Sequence, residues 1–268
     1  MSQPRIINII SNRNYESRRV FQILKSKLEK SGFVTPDEFS HKAELSICIG
    51  GDGAFLRAVH NNKFPQVPFI GINTGHLGFY QEISPEDIDR FIDDYINKRF
   101  ETFEMSLVEA KVFTDKKNYF LNAVNEIVVR GQKSKVIHLD VFVDGNHLEK
   151  FSGDGIIIST PHGSTGYNFS AGGAIIHPRL SAVQINPIAP MSSRAYRSLP
   201  NPIVVPGNWT IGVHPEQRYK NGTTIVLDGT EMFYKDIIKI NLRISSKKIS
   251  RISFSSHTYW ENLKTKFL

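Results

Sequence analysis

The chain has 268 residues but only one cysteine, Cys48, and two tryptophans. A lone cysteine excludes an intrachain disulfide and a thiolate zinc site. Cys48 sits inside the apolar run Leu45 to Ile49, where a free thiol is expected to be buried in the core. That usage fits a reducing cytoplasm. No apolar run approaches the roughly 18 residues of a membrane span. The run Ile6 to Ile10 is interrupted by Asn8 and is too short for a signal peptide. No His-Glu-x-x-His pattern offers a zinc site, and Ser164 lacks the Gly-x-Ser-x-Gly elbow of serine hydrolases. Neither Walker A nor the spaced Gly-x-Gly-x-x-Gly fingerprint occurs, and there is no low-complexity segment.

What is present is the composition of a globular protein, 40% hydrophobic and 22% charged, long enough for one large domain or two ordinary ones. Net charge is +7, from 33 basic and 26 acidic residues. A basic surface attracts polyanions, nucleotide phosphates included. The basic residues are scattered, with small clusters such as Arg18-Arg19 and Lys247-Lys248. No nucleic-acid or membrane partner is expected from that distribution.

The first hundred residues alternate strand and helix. Ile6 to Ile10, Leu45 to Ile49 and Val67 to Ile72 read as short buried strands. Val20, Ile23, Leu24 and Leu28 fall at helical spacing, and Gly32 stands where a C-terminal cap belongs. Ser84-Pro85-Glu86-Asp87 opens a helix whose apolar stripe is Ile88, Phe91, Ile92, Tyr95 and Ile96. This alternation predicts a Rossmann-like parallel sheet in an α/β domain over residues 1–100. Beyond it, short β-rich segments with few helices predict a β-rich, sandwich-like domain over 101–249. Asp144-Gly145 and Asn221-Gly222 are two-residue hairpin signals. The aromatic end, with Phe254, Tyr259, Trp260 and Phe267, is expected to dock rather than trail.

Two glycine-flanked aspartates carry the chemistry. Gly50-Gly51-Asp52-Gly53 lies between a strand and a helix, at the edge where open α/β sheets bind ligands. Glycines there admit a phosphate, and the helix offers free N–H groups to an anion. Asp52 would repel that phosphate unless it takes a proton from an attacking hydroxyl or holds a metal bridging phosphates. A tight turn with a solvated aspartate is the plainer alternative. Asn73 and Thr74, in Asn73-Thr74-Gly75-His76-Leu77-Gly78-Phe79, offer hydrogen bonds, and Phe79 or Tyr80 a face for an adenine. His76 alone reads as structural. Asn125-Glu126 ahead of a strand can grip a ribose diol. Asp154 is followed by a strand and then by a dense hydroxyl loop. Ser159, Thr160, Ser164 and Thr165 supply hydroxyls, and Pro161, Gly163 and Gly166 shape the turn.

These four blocks, in this order, resemble the NAD kinases in their bacterial form over nearly the full length. The Gly-Gly-Asp-Gly turn alone is shared with phosphofructokinases and lipid kinases; the segment from Asp154 to Tyr167 narrows the match. The resemblance implies a transferase that moves a phosphoryl group from ATP, or from polyphosphate, to the 2′-hydroxyl of the adenosine ribose of NAD. It implies Asp52 as proton acceptor, with Asp52, Gly53 and Arg57 beside the dinucleotide. Asn125 and Glu126 would hold NAD hydroxyls, and Asp154 the nicotinamide-side ribose or amide. Thr165, Gly166, Tyr167, Asn168, Phe169 and Ser170 would line the adenosine pocket, with Ala189 a further contact. Asn73, Thr74, Phe79, Tyr80, Ser159, Thr160 and Ser164 are further candidates. Magnesium would arrive on the donor phosphates rather than in a protein cage. The family resemblance also implies an α/β domain, a β-rich domain, a chain end of about residues 250–268 returning to the first, and a homodimer or homotetramer.

The chain departs from the family pattern at Ala54, where Thr is frequent, at Ser152, where several relatives have Arg, and at Gly166, where Ala is usual. Lys150 is a candidate substitute for that arginine. Two other readings compete: a non-catalytic NAD-binding or sensing protein, and a lipid or sugar kinase sharing the glycine turn.

Overall fold

Helix α1 (Tyr15–Lys30) starts where Asn14 accepts the Ser17 N–H at 2.7 Å, a side-chain N-cap. Its buried residues are Ser17, Val20, Leu24 and Leu28, one face at three- and four-residue spacing. Ile23, expected on that stripe, lies one step around the helix and is exposed. Gly32 ends the helix at φ +86°, while the Phe33 N–H returns to the Leu28 carbonyl.

The computed structural model describes residues 4–75, 78–193, 196–254 and 258–268. His76 and Leu77 lie outside the described residues. Two compact units form, one of Met1–Glu104 with Lys248–Leu268, the other of Met105–Lys247. Among the described residues no helix is long and apolar enough to cross a membrane.

In the first unit β1 (Ile7–Ser11), β2 (Leu45–Gly50) and β3 (Phe69–Asn73) run parallel, with Ser11 opposite Ile49 and Gly50 opposite Asn73. Every residue of β2 is buried, as the unbroken apolar run requires of a central parallel strand. Cys48 is among them, and burial pushes its thiol far up, out of reactive range. α2 (Asp52–Asn61) follows β2 directly. The short β4 (Gln81–Ile83) pairs with β3 across a bulge, and a 3₁₀ turn at Pro85–Asp87 leads into α3 (Ile88–Ile96). Ser84 precedes that turn without a side-chain capping bond, so Pro85 and the two acids carry the start signal. One core joins α1, α3 and the parallel strands, Leu24, Ile47, Ile70 and Phe91 among its residues.

Strand pairings within the second unit are antiparallel, and its last strand runs on into the first unit, where Arg251 lies opposite Phe69 of β3 in parallel. Its strands are β5 (Glu101–Thr114, entering from the first unit), β6 (Asn118–Ala123), β7 (Glu126–Gly131), β8 (Ile137–Val143), β9 (Asn146–Gly153), β10 (Gly155–Ser159), β11 (Ala182–Ile188), β12 (Ile203–Pro206), β13 (Ile211–Pro215), β14 (Thr223–Leu227), β15 (Thr230–Phe233) and β16 (Ile237–Ser253). One sheet has the order β12-β11-β10-β7-β14-β15. Facing it are β9-β8-β13 with β16, and the β5–β6 pair. Alternate residues of both layers meet in one core: Ile127 and Val129, Ile156 and Ile158, Leu139 and Val141, Ile211 and Val213. That period-two interdigitation is the signature of a sandwich. Asp144 and Gly145, at φ 48° and 80°, form the tight turn between β8 and β9. Asn221-Gly222 makes no such hairpin: it joins β13 to β14, which do not pair, and Asn221 binds Asp236 instead. The hairpin is one step later, at Asp228-Gly229 between β14 and β15, with φ 45° and 85°. A short α4 (Tyr167–Ser170) follows β10, and α5 (Thr258–Phe267), in the first unit, closes the chain.

Candidate active site

In the first unit the parallel register sets the β2 and β3 carboxyl ends side by side. Gly51 caps α2 with extended backbone, and Asp52 occupies the first turn, where the helix dipole favours its charge. Its Oδ2 accepts the Phe79 N–H and its Oδ1 the Tyr80 N–H, both at 3.0 Å. Two successive amides therefore fix the plane of the carboxylate. Gly78 makes this approach feasible, since a Cβ there would lie 2.1 Å from Asp52 Oδ1. The Gln81 side-chain amide donates to the Gly51 carbonyl at 3.0 Å, tying the two loops a second time. Thr74 N–H reaches the Gly50 carbonyl at 3.3 Å, and its hydroxyl pairs with Ser17 at 2.7 Å. Asn73 accepts the Gly75 N–H at 3.0 Å, while Gly53 and Arg57 are exposed on α2, Arg57 donating to Asn12.

Phe79 and Tyr80, both candidates for holding an adenine, have different surroundings. Tyr80 is buried and stacks on Phe55 at 4.6 Å, so its ring is core. Phe79 is half-buried, lying under the Lys266 ammonium and near Tyr259 and Phe267. Partly buried Arg251 donates to the Phe79 carbonyl at 3.0 Å and to Glu82 at 3.2 Å.

The second unit groups the remaining candidates around the end of β10. Thr160 N–H donates to the Asn125 carbonyl at 2.8 Å, its hydroxyl to the Val124 carbonyl at 2.8 Å, and it accepts the Gly163 N–H at 3.0 Å. Ser164 donates to the Pro161 and Ile176 carbonyls and accepts the Ile176 N–H. Gly163 passes so close to Asn125 that a Cβ would sit 2.1 Å from its carbonyl oxygen. Ser159, Thr160 and Ser164 are fully buried and hydrogen-bonded to backbone, so the dense hydroxyls build the loop. Asn168 is also buried, held by Asn186, and Thr165 lies under the same turn. Tyr167, Phe169 and Ser170 are exposed, as are Asp154 and Ala189. Ala189 holds φ 44°, a conformation a non-glycine residue adopts only under constraint.

Glu126 is the outlier of this unit. It is 6% exposed, and its Oε2 has no hydrogen-bond partner among the described residues. Burial, reinforced by the nearby Asp228 charge, pushes its carboxyl up to about 8. Asp228, which sequence reasoning passed over, holds this strand start in place. Its oxygens accept the N–H groups of Val124, Asn125 and Glu126 at 2.7, 2.7 and 3.1 Å. The signal was there as Asp-Gly between two β-rich runs.

The family departures have local explanations. Ser152 is fully buried, its hydroxyl 2.7 Å from His138 Nδ1 and its N–H donated to Ser198, which leaves no room for an arginine. Lys150 is paired with Glu216. Among the described residues no group of three or more His, Cys, Asp or Glu side chains is placed to hold a metal ion.

Residues 9–100 match the family model of the ATP-NAD kinase N-terminal domain and residues 124–253 that of the ATP-NAD kinase C-terminal domain. The NAD kinase of Finegoldia magna is 46% identical over 271 residues, covering 100% of this chain and 99% of its own. An NAD kinase of Staphylococcus epidermidis is 35% identical, over 86% of this chain and 87% of its own. An NAD kinase from Archaeoglobus fulgidus in complex with ATP superposes at TM-score 0.76 with 25% identity, over 98% of each chain. Yeast NADH kinase complexed with NADH shares the fold at TM-score 0.85, with 19% identity over 99% of this chain and 89% of its own. With both domain models matched in order and a full-length relative this similar, the chain belongs to the ATP-NAD kinase family of enzymes.

Proposed function

We propose that the chain phosphorylates NAD to NADP, transferring a phosphoryl group from ATP or polyphosphate to the 2′-hydroxyl of the adenosine ribose. The observation that carries this reading is the Asp52 carboxylate, fixed by the Phe79 and Tyr80 amides at the carboxyl ends of a parallel sheet. In the reaction the ribose oxygen forms a bond to phosphorus, the bond from phosphorus to the leaving phosphate oxygen breaks, and the hydroxyl proton passes to Asp52. A ribose hydroxyl is too weak an acid to ionise beforehand, so the proton moves late, as the new bond forms. Each carboxylate oxygen accepts one backbone N–H and keeps lone-pair capacity for that proton.

Asn125 and Glu126 hold ribose hydroxyls in this reading. The buried, partnerless Oε2 of Glu126 supports it, because an unsatisfied acceptor is completed by a hydroxyl donor. Asp154 orients the nicotinamide-side ribose or amide, and exposed Tyr167, Phe169 and Ala189 flank the adenosine. Magnesium carried on the donor phosphates would neutralise their charge. A cytoplasmic homodimer or homotetramer completes the proposal, and the buried, unreactive Cys48 is consistent with that compartment.

The test is a panel of ATP and polyphosphate against NAD and NADH, with magnesium and with chelator. NADP from NAD with at least one donor supports the reading. Saturable NAD binding without turnover favours the sensor, and phosphorylation of a lipid or sugar instead favours the other kinase. Gly166→Ala is expected to keep kcat/KM for NAD within about threefold. The added methyl would lie 3.3 Å from the Gly163 carbonyl oxygen and in ordinary contact with Glu126 Oε2 at 3.7 Å, and φ is −94°, outside the left-handed region. A loss beyond tenfold would show that this position needs glycine.

A further inference from the structure

The last turn of α5 lies against the Asp52 carboxylate. Lys266 Nζ is 3.6 Å from Asp52 Oδ2, too long for a hydrogen bond but close enough for a direct charge contact. The same ammonium stands 4.8 Å from the centroid of the Phe79 ring, and the Phe79 N–H donates to that same Oδ2. One turn earlier, the buried Asn262 amide donates to the Gly78 carbonyl at 3.1 Å. Tyr259, Asn262 and Lys266 follow at spacings of three and four, a single helical face turned to the turn that holds the aspartate. The aromatic face and the carboxylate together localise an ammonium that its flexible stem would otherwise leave mobile.

We propose that Lys266 is a positioning residue for phosphoryl transfer, a charge partner supplied by the chain end that holds Asp52 in its reactive orientation. This rests on the reading of Asp52 as proton acceptor. The backbone amides fix the carboxylate plane, and Lys266 balances the negative charge of Oδ2 while it waits for the ribose hydroxyl. One residue of the last helix thus supports the Asp52 carboxylate of the first unit, far from it in sequence.

The experiment compares wild type, Lys266→Met, Lys266→Arg and Lys264→Met, the last an exposed lysine on the same helix. Steady-state NADP formation and thermal unfolding are measured for each. Lys266→Met is expected to lower kcat about tenfold, with KM for NAD within twofold. Lys266→Arg should recover at least a third of wild-type kcat, since a guanidinium also pairs with carboxylate and ring. Lys264→Met should match wild type within twofold, and all unfolding midpoints should stay above the assay temperature. Wild-type kcat in Lys266→Met overturns the proposal and leaves the kinase reading intact. Equal losses in the Met and Arg variants, or loss only through unfolding, overturn it as well. A wild type that does not phosphorylate NAD overturns both.

Discussion

Asp52→Asn lowers kcat for NAD phosphorylation by at least about a thousandfold while NAD binding stays within about tenfold, the pattern of a group that acts mainly in the transition state. The geometry adds a second consequence. Both carboxylate oxygens accept backbone N–H groups, so the asparagine NH2 must face either the Phe79 or the Tyr80 amide. A donor against a donor costs about 1–3 kcal/mol, and the start of α2 loses a favourable charge worth about 0.3–1 kcal/mol. The variant should therefore melt measurably below wild type and still bind NAD by calorimetry. Near-normal turnover contradicts the base assignment. Binding lost together with turnover instead makes Asp52 a ligand anchor.

Glu126→Gln is expected to stabilise the ligand-free protein increasingly with pH. The wild-type carboxyl lies near 4.5 when unfolded and is pushed up to about 8 in the fold by burial and by Asp228. A raised folded value means that its full stability is present below about pH 4.5 and is lost as pH rises through about 8. Across that window the proton-linked loss approaches roughly 3–5 kcal/mol, at about 1.4 kcal/mol per pH unit. Glutamine never ionises, so the urea stability of the variant relative to wild type rises across this window. Above about pH 8, where wild type presents a carboxylate, NAD affinity should drop about tenfold in the variant, because an amide oxygen accepts a hydroxyl less strongly than a carboxylate does. A stability difference that does not change between pH 4.5 and 8.5 would show that the carboxylate finds a partner in solution.

Local patterns announced much of this protein. β1 to β3, α1 and α3 stand where apolar periodicity places them, because each buries one face against a single core. The Asp144-Gly145 turn was legible from its two residues, since an Asp-Gly pair accepts positive φ twice in succession at little cost. The Asn221-Gly222 signal misled because turn chemistry is silent about which strands pair. Ile23 and Ile96 were expected on buried stripes and are exposed, each at the edge of its helix face.

The candidate residues were legible as types, but their division of labour was not. Ser159, Thr160 and Ser164 look like ligand hydroxyls in sequence, yet all three satisfy backbone groups that the sharp turn leaves unpaired. Gly78 could be read as a loop residue but not as the space that Asp52 occupies. Asp228 lies more than a hundred positions from the amides it holds, and Asn262 lies 184 from Gly78. Contacts that long leave no periodic trace.

The most direct test of Asp52 as the proton acceptor of an NAD kinase is NADP formation by the purified protein from NAD, ATP and magnesium, read with an NADP-specific dehydrogenase, alongside Asp52→Asn. Wild type should produce NADP steadily and the variant none above background, with both proteins still binding NAD. Saturable NAD binding by wild type with no NADP formed from ATP or polyphosphate would contradict that assignment.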